Sequence, residues 1–532
     1  MFRSNRRTIE PSYPLAGIFV FLLTSHLSLL TFLWVLPAWA TTYYVSPSGN
    51  DTWHGTRPDS AWRHVNRACT TVVAGDSVLV LSGTYPERVL LRRSGTANRK
   101  IVFQSSPRRT ATTWGFDTNS PASGGYTRIE GFNVVWDTSL TGWRDPYGVF
   151  VSSNGVEVVD NYFSFLRGPG VQGNWSQPYT RGAYIADNRI FHCQAGLGIA
   201  GTDWLVERNE VDRLFQYGRG DCDYSRFFGD SLVIRRNWFH GTVPESIGSA
   251  HVDAFQTFDD NGEHARDITI EANSCWDFHQ GFMGESHYYH QSSNLVFKNN
   301  LFARGWAWGL CVQDIARVRA LNNTFAYIQW HGIGFSGQYC QGGEVRNNIF
   351  YNTNTSYWWA DTATASGDYN LIMGASAPTV RGPHDMLGQD PRFVDSLANN
   401  FRLQSTSPAR DAGDSLLEVR EDILGTLRPQ GPRWDIGAYE YIVTGVEESS
   451  GSFYPLTSNL SFSVFPNPFI SFATLPGHEV ERFSLYDIAG RKVGTYRGDR
   501  VGEGLAPGVY FLFPDTRRPT PDTRVVRVVK LH

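Results

Sequence analysis

Short apolar runs recur through the middle of the chain, each with one polar residue at the same place: GVEVVDNYF, AYIADNRIF, WLVERNEV, LVIRRNWF, ITIEANSC, LVFKNNLF, VRALNNTF and GEVRNNIF. The fixed residue is Asn161, Asn188, Asn209, Asn237, Asn273, Asn300, Asn323 and Asn348, so successive units are 21 to 36 residues long. Three residues before each Asn stand Val158, Ile185, Val206, Ile234, Ile270, Phe297, Ala320 and Val345. Two residues after it stand Phe163, Ile190, Val211, Phe239, Cys275, Phe302, Phe325 and Phe350. Both columns are apolar and must share a core. Self-similarity at this period, with strand-length β-branched runs and no helical spacing, predicts an all-β stacked array. The Asn column predicts a tight bend, since Asn tolerates the left-handed conformation, and stacked Asn amides can bond one another up the axis.

This pattern resembles the right-handed parallel β-helix of pectate lyases and many surface proteins. The resemblance speaks for fold, because one fold hosts many activities. The flanks divide the chain further. Residues 1–40 read as a signal peptide: Arg3, Arg6 and Arg7, an apolar run from Leu15 to Leu36, then Ala38-Trp39-Ala40. Residues 41–110 read as an N-terminal cap and first coil with a short helix in SAWRHVNRACTTV, and 111–442 as the β-helix. Within the latter, DPRFVDSLANNFRLQSTSPARDAGD and the following DILGTLRPQGPRWDIGAYEY resemble a terminal coil. Residues 443–460 form a polar linker, and 461–532 a small β-sandwich. In the last segment FSVFPNPF, FSLYDIAGRKV, LAPGVYFLF and RVVRVVKLH resemble the C-terminal sorting domain of the type IX secretion system. That resemblance implies secretion, or attachment at the outer-membrane cell surface, with the type IX machinery as a partner. Composition agrees with an exported β protein: 14% aromatic, 18% charged and 52 Gly. A net charge of −4 argues against a nucleic-acid surface. The six Cys show no metal spacing, and Cys275, in an apolar column, reads as a buried thiol.

Candidate chemistry concentrates in SAHVDAFQTFDDNGEHARD and, one coil later, GFMGESHYYH. In lyases of the resembled fold, the corresponding sheet forms the floor of the substrate groove. Strand alternation places His251, Asp253 and Phe255 on one face, and Glu285 and His287 share a face in the next coil. With coils about 4.8 Å apart, these carboxylates and imidazoles are expected to form one patch. Such a patch can do acid–base chemistry, or hold Ca²⁺ through Asp253, Glu285 and Asp259. Gln256, Gln313, Arg304, Trp306 and Trp308 are expected to contact the substrate, the indoles by stacking on sugar rings. A Lys base would fit a pectate lyase, but Lys298 ends a column of alternating charge, Glu207, Arg235, Glu271, Lys298, and reads as one rung of an exposed ladder. The base is then His251, His287 or Arg304. The expected function is polysaccharide lyase-like action on an acidic, uronate glycan by a monomer. A non-catalytic glycan-binding or adhesin-like rod is the alternative, and a glycoside hydrolase using two carboxylates ranks third.

Overall fold

In the computed structural model, residues 40–118, 123–137, 139, 142, 146–218, 220–378, 381–442, 482–487, 491–497, 500–506, 508–514 and 526–530 are described. The expected signal peptide, save its last residue, and the linker lie outside them. The chain forms a parallel β-solenoid of about 10 turns. Each full coil contributes a strand to three parallel sheets. Sheet A carries the apolar run before each Asn, as in Tyr184–Ala186 on Leu205–Glu207 on Val233–Arg235. Sheet B follows the Asn, as in Arg189–Phe191 on Glu210–Asp212 on Trp238–His240. Sheet C comes next, and there Phe255, Phe282, Leu310, Ile333 and Tyr357 are in register.

Both predicted apolar columns are buried in one continuous core. The Asn column is buried between them and bonds as a ladder. Each Nδ2 donates to the next Asn's Oδ1, for example Asn237 to Asn273 at 2.9 Å and Asn273 to Asn300 at 3.0 Å. The ladder continues past the predicted repeats through Asn370 and ends on Asp385 Oδ1 at 3.1 Å. The bend itself lies one residue earlier than expected. Asp160, Asp187, Arg208, Arg236, Ala272, Asn299, Asn322 and Asn347 hold the left-handed backbone, with φ of 53–58°. The ladder Asn is the residue that the bend turns inward.

At the start, helix Val65–Thr71 buries Val65, Ala68 and Cys69 beside the first strands, as a cap must. At the other end the coils stop at Met386–Leu387, which pairs with Leu371–Ile372. The stretch expected to be a terminal coil instead leaves the stack and packs across the outer face of sheet B. There Phe393, Phe401, Ala409, Ile423, Ile436 and Ala438 cover Trp276, Leu301, Ala303, Ala326, Ile349 and Leu371. The outward bend residues anchor this strap: Asn299 donates to Glu421 O at 2.7 Å, Asn322 to Asp435 O at 2.9 Å and Asn347 to Asp414 O at 2.9 Å. Inside the strap, Arg428 bonds Glu440 at 2.7 Å with both side chains buried. All six cysteines are buried free thiols, Cys275 among them. No helix among the described residues is long and apolar enough to cross a membrane. In the C-terminal segment the described strands Arg482–Asp487, Lys492–Arg497, Gly508–Pro514 and Val526–Lys530 form one antiparallel sheet.

Candidate functional site

The outer face of sheet C does not follow simple alternation, and this decides which side chains meet. At the corner where sheet C begins, Ala254, Gly281, Gly309 and Gly332 point inward, directly followed by the core residues Phe255, Phe282, Leu310 and Ile333. Two successive inward residues require a small one first: a Cβ on Gly309 would lie 2.2 Å from the carbonyl of Gly332. Phe255 is therefore in the core, contrary to the alternation that placed it outside with Asp253. The register yields two outward columns. One holds Asp223, Asp253, Gln280, Trp308 and His331, the other Arg226, Gln256, Met283, Cys311, Gly334 and Trp358.

Asp253 sits fully buried at the centre of a polar cluster. Its backbone N–H donates to Asp223 Oδ1 at 2.9 Å, and its own Oδ1 accepts from the Gln280 N–H at 3.2 Å. Gln256 Nε2 is 3.4 Å from Oδ2. The Gln280 side-chain amide is assigned with its nitrogen toward both Asp253 oxygens and toward His279 Nδ1 at 3.1 Å, which joins donors to acceptors. Arg226 holds Asp223 at 2.6 Å and Asp221 at 3.2 Å. Asp221 also accepts the His251 N–H at 3.1 Å. The His251 ring lies 4.5 Å from that of His279.

Burial, and then the charge of Asp223, push the Asp253 carboxyl well above the usual carboxylate range. Burial likewise raises Asp223, against the pull of Arg226. Two carboxyls one coil apart thus both hold their protons more tightly than exposed carboxyls do. Burial, then the neighbouring His251, lowers His279 and favours its neutral form.

The expected four-residue patch is divided. His251 and Asp253 belong to the cluster, joined by Asp221, Asp223, Arg226, His279 and Gln280. Glu285 lies three residues past Phe282 on its strand and so stands opposite Phe258, well along from Asp253. His287 turns away to Asp314, 2.9 Å from its Nδ1, and is 3.7 Å from Glu285. Burial works against the His287 charge, but the bond to Asp314 and the Glu285 carboxylate raise its pKa overall.

The Ca²⁺ set does not converge. Asp259 is committed to a turn, accepting the N–H groups of Tyr288 (3.2 Å), Tyr289 (2.8 Å) and His290 (3.0 Å) and the Ser286 hydroxyl (2.9 Å). Asp253, Glu285 and Asp259 therefore do not fit a shared cation. Among the described residues, three ligand-type side chains cluster within 4.8 Å only at Glu210, Asp212 and His240, on sheet B. Arg189 and Arg213 already pair with Asp212 there.

The other expected contacts also separate. Arg304 pairs with Asp277 at 2.7 Å and lies 4.9 Å over Trp276, which leaves it a bend residue rather than a base. With Trp306, Tyr327, Gln329 and Asn352 it lines an open depression of about 450 Å³. Gln313 Nε2 contacts Cys311 Sγ at 3.5 Å on the outer side of sheet C, where Trp308 also stands. Lys298 behaves as the ladder predicts, 3.3 Å from Glu271, while Arg235 meets Glu207 at 2.8 Å.

The residues that sequence alternation missed carried a signal. In DAF, QGF, WGL and HGI a small residue precedes an apolar one, and the residue before the small one is the outward column.

No family model and no curated protein matches the chain. Among solved structures, it is similar to XylC in complex with xylose, at a TM-score of 0.53 and 11% identity over 76% of this chain and 98% of that one. It is also similar to pectate lyase Pel9A (TM-score 0.44, 17% identity, 75% and 96% covered). A rhamnogalacturonan lyase aligns at 0.38 and 13% identity, covering 73% and 95%. The first of these shares the solenoid fold.

Proposed function

We propose that this chain is an exported glycan-cleaving enzyme that works by acid–base chemistry on the outer face of sheet C. The observation that carries this reading is the buried Asp223–Asp253 pair, fixed by backbone amides, with burial raising the pKa of both carboxyls. Asp253 donates its proton to the glycosidic oxygen as the C–O bond breaks. Asp223, whose anion Arg226 favours against the cost of burial, attacks the anomeric carbon as that bond breaks; water, giving a proton back to Asp253, then displaces Asp223 and completes hydrolysis. The strands that carry the two carboxyls are one coil rise of about 4.8 Å apart, so a retaining mechanism, whose carboxyls stand roughly 5–5.5 Å apart, is the one proposed.

Charge favours an uncharged substrate over the uronate expected from the sequence. Among the described residues of the two outward columns the one permanent cation is Arg226, and it already serves Asp221 and Asp223. A second reading, β-elimination on a uronate, has its own support in His279, a neutral imidazole suited to act as base. Export by the signal peptide and sorting through the type IX machinery complete the proposal.

Product chemistry tests it. Purified protein would be incubated with neutral polysaccharides (xylan, mannan, β-glucan) and with polygalacturonate and alginate. Reducing ends from a neutral glycan, without absorbance near about 235 nm, support hydrolysis. Absorbance that rises on a uronate and disappears in His279→Ala replaces it with the lyase. Absence of both from a folded protein refutes the enzyme and favours a glycan-binding rod.

A further inference from the structure

The three outer faces of the solenoid differ in what they show to solvent over the same coils. Sheet A presents charges in alternating pairs, Glu207 with Arg235 and Glu271 with Lys298. Sheet B is apolar there, but the strap covers it. On sheet C, beyond Gln256 and Gln280, the outward columns carry Met283, Trp308, His331 and Trp358, and the strap does not extend over them.

Two of these side chains converge. The Trp308 and Trp358 rings are 5.9 Å apart although two coils separate them in the stack. Gly334 lies between them, and a Cβ there would meet Trp308 Cζ3 at 2.5 Å and Trp358 Cε2 at 2.9 Å. The absent side chain is what lets both indoles close over that position. His331 adds a third ring, 4.2 Å from Trp308, and burial favours its neutral form. The result is an uncharged aromatic shelf on the same floor as the carboxyl pair, roughly 10 to 19 Å from Asp253 at two to four coil spacings.

We propose that Trp308 and Trp358 form a stacking subsite for an uncharged pyranose ring of a glycan chain whose scissile bond lies at Asp223 and Asp253. Aromatic faces take up the apolar face of a sugar ring, and they give nothing to a uronate carboxylate. A glycan lying along the solenoid axis then reaches the shelf only if it is several units long. This inference rests on the glycan-cleaving reading and adds a direction and a minimum length to the groove.

Full-length protein carrying Asp253→Asn, which binds without turnover, would be titrated by calorimetry with xylo-, cello- and manno-oligosaccharides of two to six units. Affinity for one series should rise with length. Adding Trp358→Ala should then weaken hexamer binding about tenfold, as expected for loss of one stacked ring. Gly334→Val should do the same by displacing both indoles. Trp358→Phe should keep most of the affinity, so that a folding defect is not mistaken for a lost subsite. Equal hexamer affinity with and without Trp358→Ala, or no binding by any series, overturns the shelf. If wild-type protein binds the hexamer with these mutational effects but cleaves nothing, the shelf stands and the enzyme reading fails.

Discussion

Replacing Asn273 with Ala removes one rung from the middle of the buried ladder. Asn273 Oδ1 accepts the Asn237 backbone N–H and the Asn237 Nδ2, both at 2.9 Å. Its own Nδ2 donates to Ile234 O at 2.9 Å and to Asn300 Oδ1 at 3.0 Å. The Asn237 backbone N–H becomes a buried orphan. Two of the other three partners keep some bonding, since Asn237 Nδ2 still reaches Val206 O at 3.1 Å and Asn300 Oδ1 still accepts the residue 273 N–H at 2.9 Å. At about 1–3 kcal/mol for a fully orphaned buried group and less for each weakened one, the loss should be about 3–5 kcal/mol. Urea unfolding followed by tryptophan fluorescence would measure it, as a fall in midpoint at unchanged slope. Exposed Asn50, replaced in the same way, should lose under about 1 kcal/mol. A loss under about 1 kcal/mol for Asn273→Ala as well would refute the idea that the ladder holds the bends in register.

Other expectations follow from the same contacts. Because the folded Asp253 carboxyl is raised, its contribution is fully present below the unfolded value near about 3.9 and is lost as pH rises through the folded one. Asp253→Asn, which does not titrate, should therefore gain stability on wild type as pH rises between those two values, by about 1.4 kcal/mol per pH unit, and a difference constant with pH would contradict the protonated pair. Ala272 holds φ of 56°, so Ala272→Gly should raise stability by about 1 kcal/mol, read from the thermal midpoint. Arg428→Ala leaves Glu440 buried without its partner, at a cost of about 3–5 kcal/mol, and limited proteolysis should then cut within 390–441 before it cuts the coils.

Much of the fold was legible because the solenoid core is built by stacking equivalent positions. Residues such as Val206 and Phe239 recur at fixed offsets from an Asn, and such columns survive any change in loop length. The strap was not legible as a strap, because its partners are outward residues such as Trp276 and Leu301, which carry no period of their own. A trace of it was present, however. The doublets Asn299-Asn300, Asn322-Asn323 and Asn347-Asn348 occur in the coils where the strap docks, one Asn tying the strap and the other joining the ladder. The site was half legible. His251 and Asp253 stood in an unusually polar segment, but Glu285 and His287 were joined to them by sequence order within a coil. The register pairs Phe255 with Phe282, and so brings Gln280 and His279 to Asp253 instead.

The central claim is that Asp223 and Asp253 do the chemistry, and parallel turnover measurements test it most directly. Wild type, Asp223→Asn, Asp253→Asn and Lys298→Met would be assayed for reducing-end release on the best neutral glycan, each checked for an intact unfolding transition. The account predicts a fall in kcat of about 10²–10⁴ for each Asp variant and no change for Lys298→Met, whose amine bonds Glu271 and the Glu418 carbonyl on sheet A. Full activity in either folded Asp variant would contradict it.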